Sequence, residues 1–147
     1  MNILFVCTGN TCRSPMAEAL MNKYSKEKDI DVYASSAGLS VVPYSKLSLF
    51  SYEAMKEYGI DISNHVPTQI DDINIQSADL ILTMTSSHAK FLKLSFPDAA
   101  DKIYPLGEYT KTSDIPDPYG QDREAYQICA EKIKEAILIL CESIKSK

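Results

Sequence analysis

Short, almost wholly apolar stretches alternate along this chain with longer segments that have helical periodicity. Ile3–Val6 is an unbroken apolar run, and Leu80–Met84 is a second one that contains a single threonine. Continuous apolar runs of this length are typical of parallel strands that are buried on both faces. The alternation therefore predicts an α/β fold, with a parallel sheet that helices cover on both faces.

Four candidate strands and four candidate helices follow one another in the sequence. Apolar and β-branched runs predict strands at 3–6, 31–35, 80–84 and 102–106. Helical patterns occupy 15–28, 46–58, a segment from 86 or 87 to before Pro97, and 121–144. We expect Ser14 to cap the first helix, with Pro15 at its first position, and 36–38 to form a turn. Ligands bind beyond the carboxyl ends of strands in such sheets, which places Cys7 at the expected ligand position.

The composition is that of an ordinary globular protein, with 147 residues, 45% hydrophobic and 24% charged. We expect one domain over residues 1–147 that folds without a metal or a cofactor. A net charge of −5 with no dense basic cluster argues against a nucleic-acid partner. No stretch is long and apolar enough for an export signal or a membrane span, so we expect a cytoplasmic protein with four free cysteines. We expect it to be a monomer.

The loop from Cys7 to Ser14 joins the first predicted strand to the first helix and is suited to binding phosphate. Its backbone N–H groups can turn inward as an anion nest, and the helix N-terminus adds partial positive charge. The same field favours the thiolate of Cys7, and the planar fork of Arg13 can bind two phosphoryl oxygens. Gly9 and Asn10 permit tight turns, and Ser14 can donate to the sulfur. The predicted phosphate-binding residues are Thr8, Gly9, Asn10, Thr11, Cys12 and Ser14.

A competing interpretation of this loop is structural. A cysteine and an arginine six residues apart also occur by chance, and a buried cysteine is often inert packing. The position between a strand and a helix, with small and polar residues where the loop needs them, favours a functional role. We therefore interpret Cys7 as a nucleophile and Arg13 as its phosphate-binding partner.

A phosphate ester or phosphoramidate also needs a proton donor at its leaving group. Asp117 is the best candidate, since it lies in a turn-rich segment that follows the fourth predicted strand. Such a segment can extend over the same sheet edge as Cys7. The alternative is an ordinary Asx turn before the last helix. Position alone leaves these two interpretations open.

Val6–Glu18 resembles the signature of the low-molecular-weight protein tyrosine phosphatase family. The resemblance extends over nearly the whole chain, since further matching segments follow in the family's order and approximate spacing: Ser36-Ala37-Gly38, His65 with Gln69, 78–84, and Asp117-Pro118-Tyr119. It implies a four-stranded parallel sheet of order 2-1-3-4. It also implies hydrolysis of a phosphorylated protein through a phosphocysteine intermediate, with no metal.

The resemblance also implies roles for individual residues. Cys7 is the expected nucleophile, Arg13 the phosphate binder, and Asp117 the general acid and then the base. A hydrogen-bond network that supports the loop is expected from Asn10, Ser14, Ser36 and His65. From position alone His65 is a surface residue, and His88, which matches no family motif, is expected to be a solvated helix residue.

The loop resembles most closely that of the bacterial protein arginine phosphatases, because Thr11 stands where tyrosine phosphatases usually carry a branched apolar residue. A wall hydroxyl can accept a hydrogen bond from a guanidinium group, whereas an apolar wall packs against a phenyl ring. Tyr119 is a single tyrosine where many eukaryotic members carry two as pocket walls. Phosphoarginine is therefore the expected substrate, and phosphotyrosine is the alternative. Thr11 could also merely fill space.

Two other functions use the same loop. An arsenate reductase needs resolving thiols near the nucleophile, but Cys129 and Cys141 lie on the last predicted helix, where core packing suits them better. A non-catalytic phosphate-binding module would keep Arg13 but would not require Cys7. Cys12 shares the loop with Cys7, which predicts a redox partnership between the two thiols.

Overall fold

The structure, a computed structural model, describes residues 1–146. The strands are β1 (Asn2–Cys7), β2 (Tyr33–Gly38), β3 (Leu80–Thr83) and β4 (Ile103–Pro105). The α-helices are α1 (Arg13–Glu27), α2 (Leu49–Lys56), α3 (Asp72–Ser77), α4 (Ser86–Ser95), α5 (Leu106–Thr110) and α6 (Arg123–Lys145), with a 3₁₀-helix at Pro97–Lys102. No helix among these residues is long and apolar enough to cross a membrane.

The four strands form one parallel sheet in the order β2-β1-β3-β4, which confirms the expected order. Cys7, the last residue of β1, pairs with Gly38 at the end of β2. Val6 pairs with Thr83 at the end of β3. The carboxyl ends of the three strands therefore meet at one sheet edge, and Cys7 lies at its centre.

Side chains of β1 alternate between two apolar layers, as strand geometry requires. Ile3 and Phe5 pack into a cluster that contains residues of α1 and α6, including Leu20 and Ile137. Leu4 and Val6 pack into a second cluster with residues of α3 and α4, on the opposite face. All four side chains of 3–6 are at most 1% exposed. Helices therefore cover both faces of the sheet, as predicted.

Several element boundaries differ from the predicted ones. β2 covers Tyr33–Gly38, because Ser36-Ala37-Gly38 pairs with the end of β1. The predicted turn at these residues was therefore wrong. α1 begins at Arg13, with Cys12 as its N-cap, and the expected cap Ser14 is the second helical residue. The helix predicted at 46–58 is restricted to Leu49–Lys56.

Three short elements were not predicted: α3, α5 and the 3₁₀-helix, none longer than six residues. α3 begins at a capping box, in which the Asp71 carboxylate accepts from the Asn74 backbone and the Asn74 side chain accepts from Asp71. Caps of this kind stabilise a single turn that has too few apolar positions to show a helical period.

Candidate active site

The backbone of the loop between β1 and α1 forms hydrogen bonds with the segment that directly follows β2. The Leu39 N–H donates to the Cys7 carbonyl at 3.0 Å, and the Ser40 N–H donates to the Thr8 carbonyl at 2.9 Å. Gly38 makes this approach possible, since a Cβ there would lie 2.7 Å from the Thr8 carbonyl oxygen. The end of β2 therefore fixes the backbone that carries the Cys7 thiol.

The Cys7 sulfur lies 2.8 Å from the Ser14 hydroxyl oxygen. That oxygen also accepts a hydrogen bond of 2.8 Å from the Asn10 side-chain amide. Because Asn10 donates to the Ser14 oxygen, the hydroxyl hydrogen of Ser14 remains available for the sulfur. A hydrogen bond donated to sulfur stabilises a thiolate over a thiol. The Ser14 hydroxyl therefore bonds the Cys7 sulfur and the Asn10 amide, whereas Cys12 occupies the N-cap position of α1.

Asn10 is fully buried and has a left-handed backbone with φ of 57°. The Thr68 N–H donates to its amide oxygen at 2.9 Å, and the Asn10 amide nitrogen donates to Ser36 at 3.0 Å. Ser36 in turn donates to the Glu18 carboxylate at 2.7 Å. His65 Nε2 donates to the Asn10 carbonyl at 2.9 Å. The structure thus brings the expected support residues together and adds Glu18 and Thr68, which sequence reasoning missed.

Arg13 is 4% exposed and lines the cleft at the carboxyl edge of the sheet. Its Nη1 donates to the Ile115 carbonyl at 3.0 Å, which fixes the plane of the guanidinium. Its Nη2 lies 3.7 Å from the Asp117 carboxylate. The other carboxylate oxygen of Asp117 accepts the Tyr119 N–H at 3.0 Å, which is an Asx turn. The two interpretations of Asp117 are therefore compatible, because one carboxylate forms the turn and faces Arg13.

These side chains surround a cleft of about 520 Å³ at the carboxyl edge of the sheet. Its lining includes Cys7, Thr8, Thr11, Arg13, Asp117 and Tyr119. Among residues 1–146, no group of three or more His, Cys, Asp or Glu side chains is placed to hold a metal ion. The cleft combines a thiol, a guanidinium and a carboxylate, which can together act as nucleophile, oxyanion binder and proton donor.

The other three thiols have different surroundings. Cys12 is buried under the loop, 3.5 Å from the Tyr126 hydroxyl, and burial together with this contact raises the pKa of Tyr126 to about 12. Cys129 donates to the Pro116 carbonyl at 3.8 Å, and burial raises its pKa to about 12. Burial also raises the pKa of Cys141. Cys129 and Cys141 are therefore protonated thiols of the core.

The expectation for His88 was also wrong. It is 8% exposed rather than solvated, and its Nε2 lies 2.9 Å from the Thr8 hydroxyl. α4 begins at its N-cap Thr85, and His88 is the third helical residue, whose side chain is buried beside the loop. Burial, and then the positive charge of Arg13, lower the pKa of His88 to about 4. The ring is therefore uncharged at neutral pH.

Curated relatives are similar to this chain over most of its length. The sequence profile of the family "Low molecular weight phosphotyrosine protein phosphatase" matches residues 2–147. A protein-arginine-phosphatase of Bacillus subtilis (strain 168) is 37% identical, over 99% of this chain and 97% of the relative. The low molecular weight protein-tyrosine-phosphatase Wzb of Escherichia coli (strain K12) is 34% identical, over 85% of this chain and 82% of the relative.

Solved structures of similar proteins agree with the fold. A YwlE mutant from Bacillus subtilis superposes with a TM-score of 0.94 at 35% identity, over 99% of each chain. A C7S mutant of the YwlE arginine phosphatase, described as having a phosphorylated active site serine, gives a TM-score of 0.95 at 34% identity, over 100% of this chain and 97% of that one. The chain therefore belongs to the low molecular weight phosphotyrosine protein phosphatase family and is a phosphatase.

Proposed function

We propose that this phosphatase removes the phosphoryl group from phosphoarginine side chains of proteins, through a phosphocysteine intermediate on Cys7. The observation that carries the proposal is the convergence of Cys7, Arg13 and Asp117 on one cleft whose wall includes the hydroxyl residue Thr11. The similarity to a protein-arginine-phosphatase supports the choice of substrate. We further propose that residues 1–147 act as a single domain.

In the first step, the phosphate lies in the loop with its oxygens on backbone N–H groups and on Arg13. The Cys7 thiolate attacks phosphorus, a P–S bond forms and the P–N bond to the guanidine breaks. Asp117 gives its proton to the departing nitrogen. The hydrogen bond from Ser14 stabilises the thiolate before attack, and the neighbouring Arg13 guanidinium, 3.7 Å away, keeps the Asp117 carboxyl group at the cleft.

In the second step, a water molecule attacks the phosphocysteine. Asp117, now a carboxylate, accepts a proton from this water, the new P–O bond forms and the P–S bond breaks. Inorganic phosphate leaves and the Cys7 thiolate is restored. The phosphorylated serine described for the C7S mutant of YwlE supports a covalent phosphoryl transfer at the corresponding position of that enzyme.

Thr11 supports phosphoarginine over phosphotyrosine. Thr11 lines the cleft, and its hydroxyl oxygen makes a weak contact of 3.6 Å with the Cys12 sulfur. A sulfur at that distance leaves the oxygen free to accept from a donor in the cleft. A guanidinium brings N–H donors to this wall, and an apolar residue would leave them unpaired.

Phosphotyrosine is the second candidate substrate. The similarity to the tyrosine phosphatase Wzb favours it, and so does Tyr119, whose side chain lines the cleft and is 76% exposed. An exposed aromatic ring at a cleft can stack against a substrate ring. Arsenate reduction has less support, because Cys129 and Cys141 are buried in the core with raised pKa values.

Four free thiols fit a reducing compartment, and we propose that the enzyme acts on phosphorylated proteins in the cytoplasm. The substrate proposal is tested with two peptides of matched sequence, one with phosphoarginine and one with phosphotyrosine, at equal concentration. We expect a higher kcat/KM for the phosphoarginine peptide. A higher value for phosphotyrosine would reject the arginine assignment while leaving the Cys7 mechanism intact.

A further inference from the structure

Thr8 directly follows the nucleophile and lines the cleft on an exposed stretch of the loop. Its hydroxyl lies 2.9 Å from Nε2 of His88, and its carbonyl accepts from the Ser40 N–H at 2.9 Å. The side chain is thus held by α4 and the backbone by the segment that follows β2. Two separate elements therefore fix the position of one cleft-lining residue.

The hydrogen-bond capacity of the Thr8 hydroxyl decides what it can recognise. If His88 donates from Nε2, the Thr8 oxygen keeps one lone pair and its own hydrogen. If Thr8 donates to Nε2, the oxygen keeps both lone pairs. In either tautomer of the uncharged ring, at least one acceptor site of the Thr8 oxygen stays free.

We propose that Thr8 is a second specificity-determining residue, whose hydroxyl accepts a hydrogen bond from a guanidinium N–H of phosphoarginine, and that His88 is its positioning residue. The inference rests on the proposed function, because it concerns the recognition of the arginine side chain. The Thr8 hydroxyl would be a second hydrogen-bond acceptor beside that of Thr11, and the buried His88 ring fixes its position.

The burial of His88 indicates why a histidine is suited to this task. The ring is 8% exposed, and its Nδ1 is buried without a hydrogen-bond partner among the described residues. An unpaired buried polar atom costs stability, which a leucine at this position would avoid. The Nε2 contact to Thr8 is the one hydrogen bond that the ring makes within residues 1–146. The buried imidazole therefore offsets its cost to stability through the hydrogen bond that holds the Thr8 hydroxyl.

The first test is Thr8→Val, which keeps the side-chain shape and removes the hydroxyl. We expect the ratio of kcat/KM for phosphoarginine over phosphotyrosine peptides to fall roughly tenfold to a hundredfold, since a hydrogen bond to a charged group is lost. Ser95→Ala serves as the control, because it removes a hydroxyl on α4 that bonds the Phe91 carbonyl away from the cleft. The control should leave the ratio as in wild type.

The second test separates positioning from folding. His88→Leu should lower the same ratio in the wild-type background and have no further effect on it in the Thr8→Val background, because His88 acts through Thr8. His88→Gln, whose amide can reach the place of Nε2, should restore most of the ratio. This rescue also covers the case in which His88→Leu does not fold.

The outcomes distinguish the inference from the proposed function. If wild type prefers phosphoarginine and Thr8→Val lowers both rates by the same factor, the Thr8 inference is overturned and the proposed function stands. If wild type does not hydrolyse phosphoarginine, the proposed function fails first. A ratio that falls in Thr8→Val, and in His88→Leu only while Thr8 is present, is the expected result.

Discussion

The Asp117 carboxylate lies 3.7 Å from the Arg13 guanidinium, which is itself fixed by a hydrogen bond to the Ile115 carbonyl. The side chain of Asp117 is 53% exposed, whereas that of Arg13 is 5% exposed. A buried, hydrogen-bonded cation therefore lies beside an exposed carboxyl group at the cleft. This relationship gives Asp117 both the access to solvent and the fixed position that a proton donor needs.

Removal of this acid should affect substrates unequally. For Asp117→Ala we expect turnover to fall by roughly 10²–10⁴ for leaving groups that need a proton, such as a guanidine. Activated aryl phosphates should lose much less, because their leaving groups depart without protonation. The measurement is kcat for a series of phosphorylated compounds with leaving groups of different basicity.

Asp114→Ala is a suitable control for Asp117. Its carboxylate accepts from the Ser86 N–H and hydroxyl at the start of α4, at 3.0–3.2 Å. This variant should lose stability but show no dependence on the leaving group. Equal losses across the series for Asp117→Ala would mean that Asp117 is structural.

Cys7→Ser tests the nucleophile. We expect turnover to disappear, because a serine hydroxyl is a much weaker nucleophile than a cysteine sulfur, while the nest and Arg13 still bind oxyanions. Calorimetry with inorganic phosphate should detect binding to the variant. Activity near the wild-type level would contradict the phosphocysteine mechanism.

Oxidation should join Cys7 and Cys12. Both thiols belong to one loop and line the cleft, and a reactive cysteine with a neighbouring thiol favours a disulfide over further oxidation. Mild peroxide should inactivate the enzyme, and a dithiol should restore it. A disulfide forms only if the two sulfurs can reach the required geometry. Mass spectrometry that finds sulfinic acid on Cys7 and no disulfide within the loop would therefore contradict this prediction.

His88 should make stability depend on pH. Burial and the charge of Arg13 lower its pKa from 6.5 to about 4, against the smaller opposing effects of Asp117 and Asp114. The unfolded chain therefore binds this proton more readily than the folded protein. Its contribution to stability is fully present above about pH 6.5 and is lost as pH falls toward about 4, by at most ~3 kcal/mol.

The pH effect is measured as the free energy of unfolding in urea at several pH values. His88→Gln should lose stability less steeply than wild type between about pH 6.5 and about pH 4, because glutamine does not titrate. Thr8→Val keeps the histidine and is the control that should retain most of the slope. Equal slopes for wild type and His88→Gln would show that His88 does not titrate in this range.

The parallel sheet could be predicted from sequence because β1 and β3 are short apolar runs, and its strand order was implied by the family resemblance. The boundaries at the site could not, since tertiary contacts override local signals there. Serine is a residue type that often caps helices, but the Ser14 hydroxyl lies 2.8 Å from the Cys7 sulfur, and α1 begins at Arg13, one residue before Ser14. Ser36-Ala37-Gly38 has the composition of a turn, but it pairs with the end of β1.

The core of the candidate site could be predicted because its residues lie in one contiguous loop or match family motifs. Glu18, Thr68 and His88 were missed for a common reason. Each reaches the loop only through the fold: Glu18 from the face of α1, Thr68 from the segment before α3, and His88 from the start of α4. Pairings over long sequence separation leave no local pattern.

The preference for phosphoarginine is tested most directly by Thr11→Ile, with Thr11→Ser as the control that keeps the hydroxyl. One lost hydrogen bond to a charged group is worth about 1.5–3 kcal/mol, so kcat/KM for phosphoarginine should fall roughly tenfold to a hundredfold. The phosphotyrosine value should hold or rise, because isoleucine adds apolar contact to the ring. A ratio of the two values that stays constant in Thr11→Ile would contradict the role of this hydroxyl and remove the support that Thr11 gives to phosphoarginine as the substrate.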